Sequence, residues 1–143
     1  MTHKIREVYI VHHSHTDVGY TDLQEQVIYN QANNIRRAVE LIENGIKNNT
    51  TQKDLKWNCE TWYCVEQFFQ NGNGGRKRKV FDLVKKETSV LSANYLNFND
   101  LADCKYLKEK IHTIRKSAAK KGIQIKTAMI ADIMVSPWDS AMP

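Results

Sequence analysis

The stretch Val8-Tyr9-Ile10-Val11-His12-His13-Ser14-His15-Thr16-Asp17-Val18-Gly19-Tyr20 passes within a few residues from apolar to titratable. β-Branched and aromatic residues suit a pleated, close-packed surface, so residues 8–11 read as a buried strand. His13, His15 and Asp17 then fall at alternate positions, and an extended backbone turns alternate side chains to one face. Imidazole nitrogen and carboxylate oxygen are donors that zinc takes together. A lone histidine is usually satisfied or solvent-facing. Three within four residues, followed by an aspartate, put more titratable surface at a strand end than a core absorbs, which points to a metal or catalytic role. His12 and His13 read as ordinary residues, one of them able to orient a ligand through a hydrogen bond. Gly19 permits a sharp exit from the strand.

Downstream, Thr21 and Gln24 have the spacing of a capping box, which starts a helix directly after the turn. Leu23, Val27, Ile28, Ile35, Val39, Ile42 and Ile46 recur at helical spacing to about Lys47. Residues 55–60 read as a second strand ending in a carboxylate, Glu60, and residues 62–71 as a short helix stopped by Asn-Gly-Asn-Gly-Gly at 71–75. A helix over 79–86 and a third strand over 88–94 come next. Asn99 or Asp100 caps a helix whose buried stripe is Leu101, Cys104, Leu107, Ile111, Ile114 and Ala118, closed by Gly122. Residues 125–131 form a continuous, mostly apolar run suited to a doubly covered strand, and it ends at Asp132.

Strands alternating with helices predict an α/β fold of parallel strands joined by right-handed crossovers. Sites in such folds lie at the carboxyl ends of the strands. His13, His15, Asp17, Glu60, Asn94 and Asp132 all fall at or just past those ends, which gathers the polar residues on one rim.

With 143 residues and 41% hydrophobic content, the chain has room for one domain with a core. The net charge of +5 is modest, and the basic runs at 76–79 and 116–121 lack interleaved aromatics, so they read as solvated helix faces and no nucleic-acid partner is expected. Cys59, Cys64 and Cys104 are too few for a disulfide framework, and the first two read as small core residues. No segment has the length of a membrane span and the amino terminus lacks a secretory pattern, so no membrane association and a cytoplasmic location are expected. Trp57 and Trp62 read as core; Trp138 is open between packing and sugar stacking.

Taken in order, His-Ser-His-Thr-Asp-Val-Gly-Tyr at 13–20 resembles the opening motif of glycoside hydrolase family 38, the retaining zinc-dependent α-mannosidases. Lys-Trp-Asn-Cys-Glu-Thr at 56–61 is similar to that family's second strand, Ser-Ala-Asn-Tyr-Leu-Asn-Phe-Asn-Asp at 92–100 to its third, and Ala-Met-Ile-Ala-Asp at 128–132 to the strand carrying its nucleophile. Ser-Ala-Met-Pro at 140–143 resembles the family's segment after the nucleophile. The resemblance implies the first half of a seven-stranded β/α barrel, with residues 1–143 as an amino-terminal portion of the catalytic domain. It implies Zn²⁺ held by His15, Asp17 and Asp132, Asp132 also as nucleophile, and Tyr20 against the sugar ring of an α-mannoside or related glycan. The family's general acid and a further histidine ligand have no counterpart in the sequence. Four strands of such a barrel leave an open sheet edge, through which association is expected.

Two other readings stand beside this one. His13-Ser14-His15 also begins amidohydrolase-like barrels, and with Asp17 it matches most of the metallo-β-lactamase pattern, although Val18 stands where that pattern needs histidine. Both would use metal-activated water. A non-catalytic chain that binds zinc or carbohydrate is the other.

Overall fold

The computed structural model describes residues 5–8, 10–18, 21–71, 74–86, 89–96 and 103–129. Helix α1 (Gln24–Asn48) leads into a 3-10 turn (Thr51–Asp54) and strand β1 (Trp57–Cys59). Helices α2 (Trp62–Asn71) and α3 (Gly74–Lys85), strand β2 (Ser89–Leu91) and helix α4 (Cys104–Ala119) complete the order. The strands are parallel, with Trp57 opposite Ser89, Asn58 opposite Val90 and Cys59 opposite Leu91. The result is a mixed α/β arrangement around a small two-stranded parallel sheet, with α2 and α3 as the crossover.

Extended segments lie on either side of this sheet in chain order. His13 forms an isolated parallel bridge with Asn58, and the Asn58 N–H donates to the His12 carbonyl at 2.9 Å. On the far side the Ala93 N–H donates to the Thr127 carbonyl at 2.9 Å. Met129 N–H donates to Ser92 Oγ at 3.0 Å, and Asn94 Nδ2 donates to the Met129 carbonyl at 3.1 Å.

The expected buried strand at 8–11 is not formed: Val8 and Ile10 are 77% and 76% exposed, and Val11 is exposed as well. The register that sets His13 beside Asn58 would place Val8 beside Lys53, where the chain is coiled in the 3-10 turn and offers no straight neighbour. The expected fourth strand is likewise an extended segment without a ladder over its described part, 125–129, because the Ser92 hydroxyl takes the amide that a strand carbonyl would otherwise accept. Residues 130–132 lie outside the described residues.

Helix α1 begins without the capping box. Leu23 is its N-cap with no side-chain hydrogen bond, and the Asp22 carboxylate takes the Leu23 N–H at 2.8 Å. Val27, Gln31, Ile35, Ala38, Val39, Ile42 and Gly45 form the buried stripe, which leaves Ile46 facing out. The helix ends at Asn49 in the left-handed region, φ 51°. Helix α2 has the predicted bounds, whereas α3 starts at Gly74, well before the predicted Lys79. In α4 the cap is Asp103, whose carboxylate accepts the Tyr106 N–H at 3.1 Å; Asn99, Asp100 and Leu101 lie outside the described residues. Gly122, φ +71°, turns the chain after α4, a conformation that suits glycine.

One core joins these parts. Ile35, Val39 and Ile42 of α1 meet Trp62, Val65 and Phe68 of α2, Val80 and Leu83 of α3, Cys59 and Leu91 of the sheet, Ile114 and Ala118 of α4, and Ile123 and Ile125 beyond it. Trp62 is buried as expected. Trp57 packs partly buried against the cluster, its buried Nε1 without a hydrogen-bond partner. Among the described residues no helix is long and apolar enough to cross a membrane.

Candidate metal centre

Although residues 13–17 form no ladder beyond one bridge, their side chains alternate as an extended backbone requires. Ser14 and Thr16 turn toward the helices. Asn34 Nδ2 of α1 donates to Ser14 Oγ at 2.8 Å, and buried Thr16 sets its hydroxyl 3.4 Å from Cys64 Sγ of α2. Gln31 Nε2 of α1 donates to the His15 carbonyl at 2.6 Å, which pins the segment from behind. His13 and His15 turn the other way and meet the carboxylate that comes after β1, and Asp17 meets His15.

That carboxylate is Glu60. Its side chain is 1% exposed, with Oε1 2.9 Å from His15 Nδ1 and Oε2 3.4 Å from His13 Nδ1. His15 Nε2 lies 3.2 Å from Asp17 Oδ1. The sequence places Glu60 on the rim; the structure buries it behind two imidazoles. The cost of burying a charge is lowered by hydrogen bonds to it.

The chemistry of His15 is a matter of proton counting. A neutral imidazole has one N–H, and an ionised carboxylate accepts only. With the Nδ1–H given to Glu60, Nε2 presents a lone pair to an Asp17 oxygen that also carries lone pairs. At 3.2 Å such a pair is joined by a proton on either atom or by a metal ion between them. Two ligand atoms each about 2.1 Å from a tetrahedral zinc stand about 3.4 Å apart. The nitrogen and oxygen donors therefore fit one edge of a zinc site, with Glu60 behind the imidazole as the carboxylate partner that ligating histidines usually have.

Among the described residues no three His, Cys, Asp or Glu side chains converge on one metal position. His15 and Asp17 are brought together; Asp132 and Tyr20 lie outside the described residues.

The rest of the rim is tied rather than open. The N–H groups of Trp62 and Tyr63, at the start of α2, donate to the carbonyls of Asn94 and Tyr95 at 2.7 and 3.1 Å, so the chain leaving β2 caps the helix leaving β1. Tyr95 Oη donates to Glu66 at 2.9 Å; burial first, and then that carboxylate, raise the Tyr95 phenol. Burial raises the Cys64 thiol despite the nearby Thr16 and Thr61 hydroxyls, which pull it down. Burial, with Cys64 close by, pushes Cys59 up to about 12. Both are inert core thiols, as the sequence suggests.

Gln31 and Asn34 escape the sequence reading. Gln31 carries the one available signal, since a polar residue between Val27 and Ile35 at helical spacing must find a buried partner. Comparison with protein-family models, curated proteins and solved structures finds no match to this chain.

Proposed function

We propose that the chain carries the zinc-binding rim of a retaining α-mannosidase-like glycoside hydrolase, with His15, Asp17 and Asp132 holding the metal. The observation that carries this reading is the 3.2 Å approach of His15 Nε2 to Asp17 Oδ1 with Nδ1 already committed to Glu60. The collinear resemblance of residues 13–20, 56–61, 92–100 and 128–132 to family 38 supplies the reaction class.

Zinc bound there supplies Lewis acidity and a template for sugar hydroxyls. Glu60 holds the His15 ring, Gln31 holds the His15 carbonyl behind it, Asn34 holds the Ser14 hydroxyl, and Tyr20 offers an aromatic face to the pyranose. Asp132 attacks the anomeric carbon, the glycosidic bond breaks, and a glycosyl ester forms that water later cleaves with retention. A chain that binds zinc or sugar without turnover is the second reading.

Elemental analysis of the purified chain at defined concentration tests this, together with release of p-nitrophenol from p-nitrophenyl α-mannoside. The expected result is about one zinc per chain, reduced by His15→Ala, Asp17→Asn and Asp132→Asn, with hydrolysis of the mannoside. A folded chain without zinc, or zinc indifferent to Asp17 and Asp132, overturns the site. Bound zinc with no hydrolysis assigns the chain to the second reading.

A further inference from the structure

We infer that the groove between α4 and residues 123–125 receives an acidic peptide in extended form, which adds as a strand to the outer edge of residues 124–128. The inference is independent of the metal reading, because the groove shares no residue with the histidine cluster.

The main chain leaves this edge open. The Thr127 carbonyl, the Met129 N–H and the Met129 carbonyl all turn toward residues 92–94. In an extended chain the neighbouring residue turns its main-chain groups the opposite way, so Lys126 and Ala128 present N–H and C=O away from β2. Among the described residues nothing pairs with those groups, and both residues are exposed. An unpaired edge is a template for another strand, and residues 124–128 offer about 13 Å of it at about 3.3 Å per residue.

The wall beside that edge is basic. Helix α4 lines a groove of 580 Å³ with His112, Arg115 and Lys116, and Ala119, Ile123 and Ile125 form its floor. Glu109, the one carboxylate of α4, is not in the lining. Among the described residues the three basic side chains have neither ion pair nor hydrogen bond. A basic helix face in open water needs no partner, but these cations border a concavity next to unpaired main chain. In strand addition the main chain gives affinity and alternate side chains choose the partner. Every second side chain of an added strand turns to the α4 side, so carboxylates at alternate positions meet Arg115 and Lys116 while their methylenes cover Ile125. The lining holds no aromatic ring on which a nucleic-acid base would stack. The chain's net charge of +5 opposes a second copy at a basic edge.

Fluorescence anisotropy of a labelled Glu-Val-Glu-Val-Glu-Val-Glu peptide against the full chain tests this, with amide exchange followed by NMR. Saturable binding is expected, weakened about 10-fold or more in Arg115→Glu/Lys116→Glu. Arg37→Glu/Lys47→Glu, which makes the same charge change on exposed positions of α1, should weaken it far less. Exchange at the Lys126 and Ala128 amides should slow when the peptide binds, and a peptide N-methylated at alternate residues should not bind. No binding, equal losses in the two double variants, unchanged exchange at Lys126 and Ala128, or equal binding of the N-methylated peptide overturns the inference. An oligothymidylate bound as tightly as the peptide overturns it in favour of nucleic acid. A wild-type dimer that Arg115→Glu/Lys116→Glu dissolves overturns it in favour of a second copy.

Discussion

Replacing Gly45 by alanine sets helix propensity against packing, and the structure says which wins. Within a helix, alanine is favoured over glycine by about 1 kcal/mol, so an exposed site in α1 would gain. Gly45 is buried where the chain reverses at Asn49 and lays the 3-10 turn back onto the helix. The Thr50 N–H donates to its carbonyl at 3.0 Å. A Cβ here would lie 2.5 Å from the Gln52 carbonyl carbon and 2.9 Å from Gln52 Cβ, and would also collide with the Lys53 nitrogen. Carbon atoms pack at about 3.5–4.0 Å, so relief needs a backbone shift of about 1 Å, and two of the three obstructing atoms are backbone. Overpacking of this kind costs about 1–3 kcal/mol, beyond which the propensity gain is at most partial compensation. Gly45→Ala is therefore expected to lower stability by up to about 2 kcal/mol net, and with it the urea midpoint, with the m value unchanged. Urea unfolding followed by far-ultraviolet circular dichroism measures it. A midpoint equal to or above the wild type's would refute the reasoning.

Other consequences are equally direct. Ile42→Ala should cost about 2–5 kcal/mol by chemical unfolding, and Ile46→Ala, on a residue 49% exposed against 0% for Ile42, should cost well under half of that. Asp103→Ala removes the α4 cap and should cost about 0.5–2 kcal/mol, with amide exchange quickening in the first turn of α4. The raised Cys59 thiol fixes a sign. Below the unfolded thiol pKa both states are protonated and the contribution is complete; as pH rises from about 9 toward 12 only the unfolded chain ionises, and stability falls by about 1.4 kcal/mol per unit. The wild type should therefore lose stability more steeply over that range than Cys59→Ala, and equal slopes would contradict the burial account. In the native chain at pH 8, Cys59 and Cys64 should react with a thiol reagent far more slowly than after unfolding.

The helices were legible because periodicity is local. The Val27, Ile35, Val39 and Ile42 stripe marks α1, and the Trp62–Asn71 bounds of α2 fall where apolar spacing and the Asn-Gly run put them. The strands were less so. Val8–Val11 has strand composition, yet composition does not say that the neighbour of Val8 is coiled at Thr51–Asp54, because pairing depends on a distant segment. The same limit applies to the rim. Alternation alone put His13, His15 and Asp17 on one face, but the burial of Glu60 against both rings depends on the register His13 to Asn58, which no spacing within residues 8–20 encodes. Asp103 displaced Asn99 and Asp100 as the cap because several nearby polar residues offer the same chemistry.

The Ser92 hydroxyl accepts from both the Asn94 and Met129 N–H groups, at 3.1 and 3.0 Å. Between β1 and β2 the alignment is held by repeating main-chain groups, so it survives the loss of any one side chain. Between residues 92–94 and 127–129 the alignment is shared by one main-chain bond, Ala93 N–H to the Thr127 carbonyl, and two that run through side chains, Ser92 Oγ and Asn94 Nδ2, so side chains carry most of it. Exchanging Ser92 for alanine removes one of those three bonds and leaves the register to one main-chain pair and one amide side chain.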